Sequence, residues 1–490
     1  MKHIRVLVSE VILVDTFSMF NLDKFRFFFF LFGLVSFSAF SDWFEDFKSS
    51  ASDGDLHQLL YEMPKGGDLH LHLSGSGFSE WWYELALLAK EKGYNYYTKV
   101  KLNNCVAQGW NSFGPRPYQL MFQTIVAAEW KNLSGCEREE FFPISDLSAS
   151  QQKAFLDSIR LDKSYEGRDE FFGAHWQRLA DLLENPFLIS ELIAKNFSAF
   201  ADEGLLYLEP QVNAFGYRWP DQTPISPDEV AMIFRERLTK KDIKDTGLVY
   251  RFQHSILRFL PDAEKTLEEV YRFVSRNDPY VGVNMVGRED NDKGYPLRFL
   301  PTLRNLRREY SDVRLSIHAG EVDEPNFHVR DTLLLGADRI GHGLNLITDP
   351  ETMRLMRYGP YLVEINLISN LLLEYVDSYE GHPFGEYLRI GIPVALSTDD
   401  RGMWDSTMTD EFFVAVKEFN LSWKEIKELS RNSLRYAFVD EKTKARMLAL
   451  YETRISSFEE KNRVRGSRNL STGKRAPRRQ FICKRYGLCD

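Results

Sequence analysis

His70 and His72, His318, His342 and the pair Asp399-Asp400 sit in four short motifs, H-L-H, H-A-G-E, G-H-G and T-D-D, spread over about 330 residues. Three histidines and an aspartate suit a hydrolytic zinc site. Neutral imidazole and an anionic oxygen bind zinc well, and a catalytic site must also leave a coordination position open for water. Water on Zn²⁺ ionises near pH 7, against about 15.7 in bulk, so such a site makes a nucleophile that side chains alone could not.

The elements that position these residues can be read from their flanks. His70 and His72 follow the apolar-biased run Met63 to Leu69, and residues i and i+2 of a strand share a face, so both imidazoles can reach one ion. His318 ends the run Val313 to Ile317, and Asp399 follows Ile392 to Leu396. Strands are expected at Asp68 to Leu73, Leu205 to Val212, Leu248 to Ser255, Val281 to Val286, Val313 to Ile317, Arg339 to His342, Tyr361 to Asn366 and Pro393 to Ser397. Helical periodicity falls between most of them, as at Phe187 to Glu203 and Thr266 to Ser275. Alternating strands and helices predict an α/β fold with a parallel sheet, here a (β/α)₈ TIM barrel, whose chemistry gathers at the C-terminal strand ends.

Taken together, Met63-Pro-Lys-Gly-Gly-Asp-Leu-His-Leu-His72, His318-Ala-Gly-Glu321, Gly341-His-Gly343 and Thr398-Asp-Asp400 resemble the adenosine deaminase family. Met63-Pro-Lys-Gly66 in particular resembles its secreted growth-factor-type subfamily. The resemblance spans roughly residues 63 to 450. It implies a metal-dependent hydrolase barrel with one Zn²⁺ per chain held by His70, His72, His318 and Asp399. Glu321 is then the acid that protonates purine N1, and His342 orients and helps activate the zinc water. Asp400 is implied at N7, and the backbone N–H of Gly287 at N3.

The chemistry of those roles is coherent. Attack at C6 of the purine costs the ring its aromaticity unless a proton reaches N1 as the bond forms. A carboxyl group in a water-poor pocket can stay protonated near neutrality, and positioned proton transfer typically contributes about 10²–10⁴-fold in rate. Each motif alone has an ordinary reading: Asp399-Asp400 as a turn or helix cap, Gly341-His-Gly343 as a tight turn around a buried histidine, Gly287 as a strand-end bend. Their joint occurrence in order, each at a strand end, favours the site.

Two rival zinc chemistries differ in sequence. Cytidine-type deaminases carry H-x-E with P-C-x-x-C, and this chain has no C-x-x-C. Related two-metal amidohydrolases use a bridging lysine on the fourth strand, and Tyr280-Val-Gly-Val-Asn-Met-Val-Gly287 has none. One departure from the family stands out. After H-L-H-L the best-known members carry an acid that helps hold the ribose, whereas this chain has Ser74. A serine makes weaker bonds to a sugar than a carboxylate does. The expected reaction is conversion of adenosine or deoxyadenosine to the inosine form with release of ammonia. Free adenine and other adenine compounds are the alternatives, and a secreted signalling or receptor-binding protein on the same barrel is the alternative of another class. No ligand position is lost, which favours the enzyme.

Composition bounds the rest. The net charge of −9 gives no general reason to bind nucleic acid. From Lys461 onward there are ten Lys or Arg against one acid, leaving about −18 on the preceding residues. The basic stretch 456–490 is read as a disordered tail, with polyanion or receptor contact as its possible use. Lys24 and Arg26 precede the apolar run Phe27 to Ala39, which reads as a signal peptide over 1–41, with translation starting at Met1 or Met19. Secretion, or periplasmic export in a bacterium, follows, with no stable membrane association after cleavage. Four cysteines, Cys105, Cys136, Cys483 and Cys489, suit an oxidising compartment, and two short-range disulfides are the simplest arrangement. The stretch 93–150 is too long for a strand-to-helix connection, and the resemblance implies a small inserted subdomain there. Residues 42–62 form a short N-terminal segment with little room for the subfamily's dimerisation helices, so a homodimer stays open. N-x-S sequons stand at Asn132, Asn196, Asn420 and Asn469.

Overall fold

Eight parallel strands close into a barrel: β1 (Gly67–Asp68), β2 (Tyr207–Leu208), β3 (Val249–Tyr250, resuming as Phe252–Leu257), β4 (Tyr280–Val286), β5 (Arg314–Ala319), β6 (Arg339–His342), β7 (Leu362–Ile365) and β8 (Val394–Leu396). The computed structural model describes residues 42–107, 117–289, 293–322, 326–465 and 474–489. All eight expected strands are present and neighbours in sequence pair in space. The ring closes through parallel bridges Leu71↔Asp399, His72↔Gln211 and Gln211↔Gln253.

β1 has a shorter regular ladder than the expected run Asp68 to Leu73. The cause is Asp68, whose buried carboxylate accepts the His70 N–H (3.1 Å) and both the N–H and hydroxyl of Thr398 (3.2 and 2.6 Å). A side chain thus takes ladder positions from the backbone. It also pins the start of the first histidine motif to the turn that carries Asp399.

Helices fill the outside. Pro186–Asp202 begins at Asn185, whose side chain accepts the Phe187 and Leu188 N–H groups, and buries Leu188, Leu192, Ile193 and Phe197 on one face. Lys65 of the M-P-K-G run is fully buried, and its ammonium donates to the carbonyls of Leu60, Met63 and Glu203 (2.6, 3.2 and 2.7 Å). It ties the ends of two helices, Asp53–Glu62 and Pro186–Asp202, to the entry of β1. This motif is structural.

Three peripheral pieces sit on the barrel. Residues 43–62 form two helices, with Trp43 and Phe44 packed on Trp423 (ring centroids 5.0 and 5.2 Å). The 93–150 stretch holds a three-stranded antiparallel sheet, with Tyr96–Lys99 between Thr124–Val126 and Phe141–Pro143, and the Cys105–Cys136 disulfide. The tail departs from its expected disorder. Glu441–Arg465 is one continuous helix, and Gln480–Tyr486 is a second, with Phe481 and Ile482 buried and Cys483 bonded to Cys489. Two apolar side chains and a six-residue disulfide loop anchor a stretch whose charge alone suggested solvation. The signal-peptide region 1–41 lies outside the described residues. Among the described residues no helix is long and apolar enough to cross a membrane.

Candidate metal centre and active site

The strand ends bring the four motifs to one point. His70 and His72 follow β1, His318 lies in β5, His342 ends β6, and Asp399 follows β8 with φ of +54°, a backbone state that Asp tolerates better than most residues. His72 Nε2 lies 3.2 Å from His318 Nε2 and 3.2 Å from Asp399 Oδ1, which is 3.4 Å from His70 Nε2. Tetrahedral zinc with Zn–N of about 2.0–2.1 Å sets its ligands about 3.3–3.4 Å apart. These three edges of the six lie close to that figure. His70 Nε2 and Asp399 Oδ1 are buried and lack a hydrogen-bond partner, as atoms reserved for a cation would be. His342 also has a nitrogen within 4.8 Å of those of His70 and His318. Its Nδ1, however, is taken by the Asn370 amide (3.0 Å) and its Nε2 faces Glu321 Oε1 at 3.6 Å, so the His70–His72–His318–Asp399 set fits the ion better.

The far ring nitrogens are held. His70 Nδ1 meets Glu364 Oε2 at 2.8 Å and His318 Nδ1 meets Asn284 Oδ1 at 2.9 Å. Each contact places the N–H on Nδ1 and turns the Nε2 lone pair toward the ion. Burial opposes charge on His70, but Asp399 and Glu364 lift its imidazole to about 10. A metal must therefore displace a proton to bind there. Burial, then its neighbours His70, His342 and His72, pushes His318 well below the ordinary histidine range, which leaves it neutral as a ligand should be.

Glu321, Asp400 and Gly287 edge the same cavity. Burial, reinforced by Asp399 and Glu289, raises the Glu321 carboxyl well above the usual range. Glu289 also anchors that turn, accepting the N–H groups of Gly320 and Glu321 at 3.0 Å each. Burial and then Asp399 raise Asp400 as well, and its buried Oδ1 has no partner. Gly75 makes room for it: a Cβ there would stand 1.6 Å from Asp400 Oδ1. Gly287 takes φ of +92° directly after β4, which suits glycine and leaves its N–H off the ladder.

A cavity of about 520 Å³ opens over these groups. His72, Ser74, Gly287, His318, Glu321, Asp399 and Asp400 all line it, while His70 and His342 are fully buried. Sequence reasoning missed the aromatic wall of Phe171, Phe172 and Trp176, which follows a π-helical turn over Phe171–His175; such turns recur at functional sites. It also missed Glu184, an acid at the wall paired with Arg218 at 3.5 Å. Glu364 and Asn284 were visible as polar residues inside otherwise apolar strands, though nothing in the sequence said what they face.

The adenosine deaminase family model matches residues 144–453, more than half of the chain. The chain belongs to the adenosine deaminase family. The matched stretch starts beyond His70 and His72, which the Leu71↔Asp399 pairing joins to it. An N6-methyl-AMP deaminase of Bos taurus is 27% identical over 271 residues, covering 54% of this chain and 74% of that protein. An adenosine deaminase of Enterococcus faecalis is 31% identical over 204 residues, covering 41% and 57%. The fold is that of an amidohydrolase from Burkholderia ambifaria with bound Zn (TM-score 0.60, 17% identity, 83% of this chain and 94% of that one). These are metal-dependent hydrolase barrels. This deaminase-family chain thus carries a buried His/Asp cluster that could hold a metal ion at the barrel's C-terminal face.

Proposed function

We propose that this chain is an exported zinc-dependent deaminase of adenosine and deoxyadenosine, of the growth-factor-type subfamily. The carrying observation is the cavity wall: among the described residues that line it, none is Lys or Arg, while Glu184, Glu321, Asp399 and Asp400 are acids. Burying a phosphate dianion without a cation among the lining residues is costly. A neutral sugar has hydroxyl partners there in Ser74, Asn213 and Glu184.

Bound zinc, held by His70, His72, His318 and Asp399, supplies a water that ionises near neutral pH. The remaining work falls to the chain. A carboxyl that burial keeps protonated lets Glu321 deliver a proton to N1 as C6 is attacked. Asp400, held neutral in the same way, can donate to N7, which only accepts; the Gly287 N–H does the same for N3. His342 positions the attacking water beside Glu321. Water and the C6 amine then become the C6 carbonyl and ammonia. The Cys105–Cys136 and Cys483–Cys489 bonds support an oxidising destination.

A nucleotide reading has two observations in its favour, the likeness to an N6-methyl-AMP deaminase and an arginine beside the cavity. Arg288, next to Gly287, is paired with Asp169 at 2.9 Å and would have to be recruited to a phosphate. Deamination measured on adenosine, deoxyadenosine, adenine, AMP and N6-methyl-AMP separates the readings. Adenosine is expected to lead AMP by at least about tenfold in kcat/KM, a difference of about 1.4 kcal/mol. A lead for either nucleotide, or for adenine, overturns the nucleoside assignment.

A further inference from the structure

His342 is the site histidine whose protonated nitrogen the chemistry leaves undecided, and hydrogen bonds running away from the site decide it. His382 Nδ1 lies 3.1 Å from the Phe384 backbone N–H, which can only donate, so Nδ1 accepts and carries no proton. The His382 proton is therefore on Nε2, which donates to Asn370 Oδ1 at 3.0 Å. That fixes which way the Asn370 amide is turned. Its Nδ2 faces His342 Nδ1 at 3.0 Å; Asn366 Nδ2 lies 3.3 and 3.5 Å from Nδ1 and Nε2 and does not choose between them. His342 Nδ1 is thus an acceptor, and the ring proton sits on Nε2, the nitrogen 3.6 Å from Glu321 Oε1. His342, His382, Asn366 and Asn370 are all fully or nearly fully buried, so water does not compete for these bonds.

We propose that Asn370 and His382 are positioning residues that lock His342 in its Nε2–H form, so that it meets the attacking oxygen as a hydrogen-bond donor and not as the group that removes its proton. The inference rests on the deaminase reading, and it deepens the role of His342. A donor fixed before substrate arrives holds the oxygen's lone pair in place and leaves another pair free for C6. Removing one such preorganised donor typically costs about 10²–10³-fold in kcat. The lock starts at a backbone amide, and a main-chain N–H cannot change its sense.

The test uses the full metal-loaded chain labelled with ¹⁵N-histidine, with His342 assigned by difference against His342→Gln. Ring-nitrogen spectra are expected to show a protonated Nε2 and a bare Nδ1. Asn370→Asp replaces the donor at Nδ1 with an acceptor of the same shape, so Nδ1 is expected to become protonated and kcat on adenosine to fall on the order of 10²-fold. His382→Gln keeps a donor toward Asn370 Oδ1 and is expected to keep the wild-type spectrum and kcat within about threefold, whereas His382→Leu is expected to lose both. A proton on Nδ1 of His342 in the wild-type chain overturns the proposal, as does a wild-type spectrum in Asn370→Asp. Should Asn370→Asp fail to fold, the contrast between the two His382 variants decides. If adenosine proves a poor substrate, the spectra still decide the tautomer.

Discussion

Replacing Glu364 with Gln should loosen the metal without touching a ligand. Glu364 is fully buried; Oε2 takes the His70 Nδ1–H at 2.8 Å, Oε1 takes Arg339 Nε at 2.5 Å, and the Ser316 hydroxyl lies 3.1 and 3.2 Å from the two oxygens. A glutamine has one oxygen and one NH₂. Whichever way it turns, the NH₂ faces a donor, either Arg339 or His70. Facing Arg339, it leaves one guanidinium N–H of a residue that still holds Glu209 and the Tyr436 carbonyl without an acceptor. Facing His70, it drives the imidazole proton to Nε2, where the metal must bind. Loss of such an orienting partner costs about 10–100-fold in metal affinity, or about 1.4–2.7 kcal/mol. Because His70 sits near 10 under its two carboxylates, wild-type affinity should rise with pH up to that region, as each metal bound expels a proton. Glu364→Gln removes one of those carboxylates and should flatten the rise. Competition of the metal-free protein against a chelator across pH 6–9, with unfolding followed in parallel, measures both effects. A folded variant with wild-type affinity and the wild-type pH slope would refute the assignment of Glu364 to His70.

Glu321→Gln keeps the shape but cannot release a proton to N1, so kcat should fall at least about 10²-fold with the metal retained. Since burial raises the Glu321 carboxyl and the protonated form is the working one, wild-type kcat should fall on the alkaline side as pH passes that raised pKa, and Glu321→Gln should lack this fall; a wild-type profile without it would remove Glu321 from the role. Arg479 binds Glu80 at 2.6 Å and Asp405 at 2.7 Å, and Asp405 closes the short helix Arg401–Trp404 that follows Asp399-Asp400. Arg479→Ala should therefore cost about 1–3 kcal/mol of unfolding free energy, seen as a lowered denaturant midpoint, and an unchanged midpoint would mean that the C-terminal helix rests on the barrel without bracing it.

The residues that the fold gathers at one point were legible because they stand at strand ends, where an i, i+2 pair such as His70 and His72 or a doublet such as Asp399-Asp400 breaks an apolar run. The eight strands were legible for the same reason. Glu364 and Asn284 stood inside strands as isolated polar letters, and their partners come from other strands 294 and 34 residues away, a pairing that no local pattern encodes. The tail misled because its charge is real but its fold is set by Phe481, Ile482 and a short disulfide loop. The aromatic wall was hidden because Phe171 to Trp176 reads as an ordinary apolar patch, and only the tertiary fold turns it toward the metal.

The two orienting contacts are parts of one circuit beneath the metal. Glu209 is a carboxylate, so it can only accept; it takes Gln253 Nε2 at 2.9 Å and the Tyr207 hydroxyl at 2.5 Å, and it binds Arg339. That turns Gln253 Oε1 toward Asn284 Nδ2 at 3.1 Å, which leaves Asn284 Oδ1 to accept from His318. On the other side Arg339 passes from Glu209 to Glu364, which accepts from His70. An unbroken chain of donors and acceptors across β2 to β7 thus sets the tautomers of two histidines from a single carboxylate–guanidinium pair. Buried ion pairs seldom repay their desolvation as stability, and a packed apolar barrel interior would hold the fold at least as well. The reason for a charged floor is directional. Amides and imidazoles can each be turned two ways, carboxylates and guanidinium groups cannot, and placing the latter at the centre leaves one arrangement in which both Nε2 lone pairs point at the same ion.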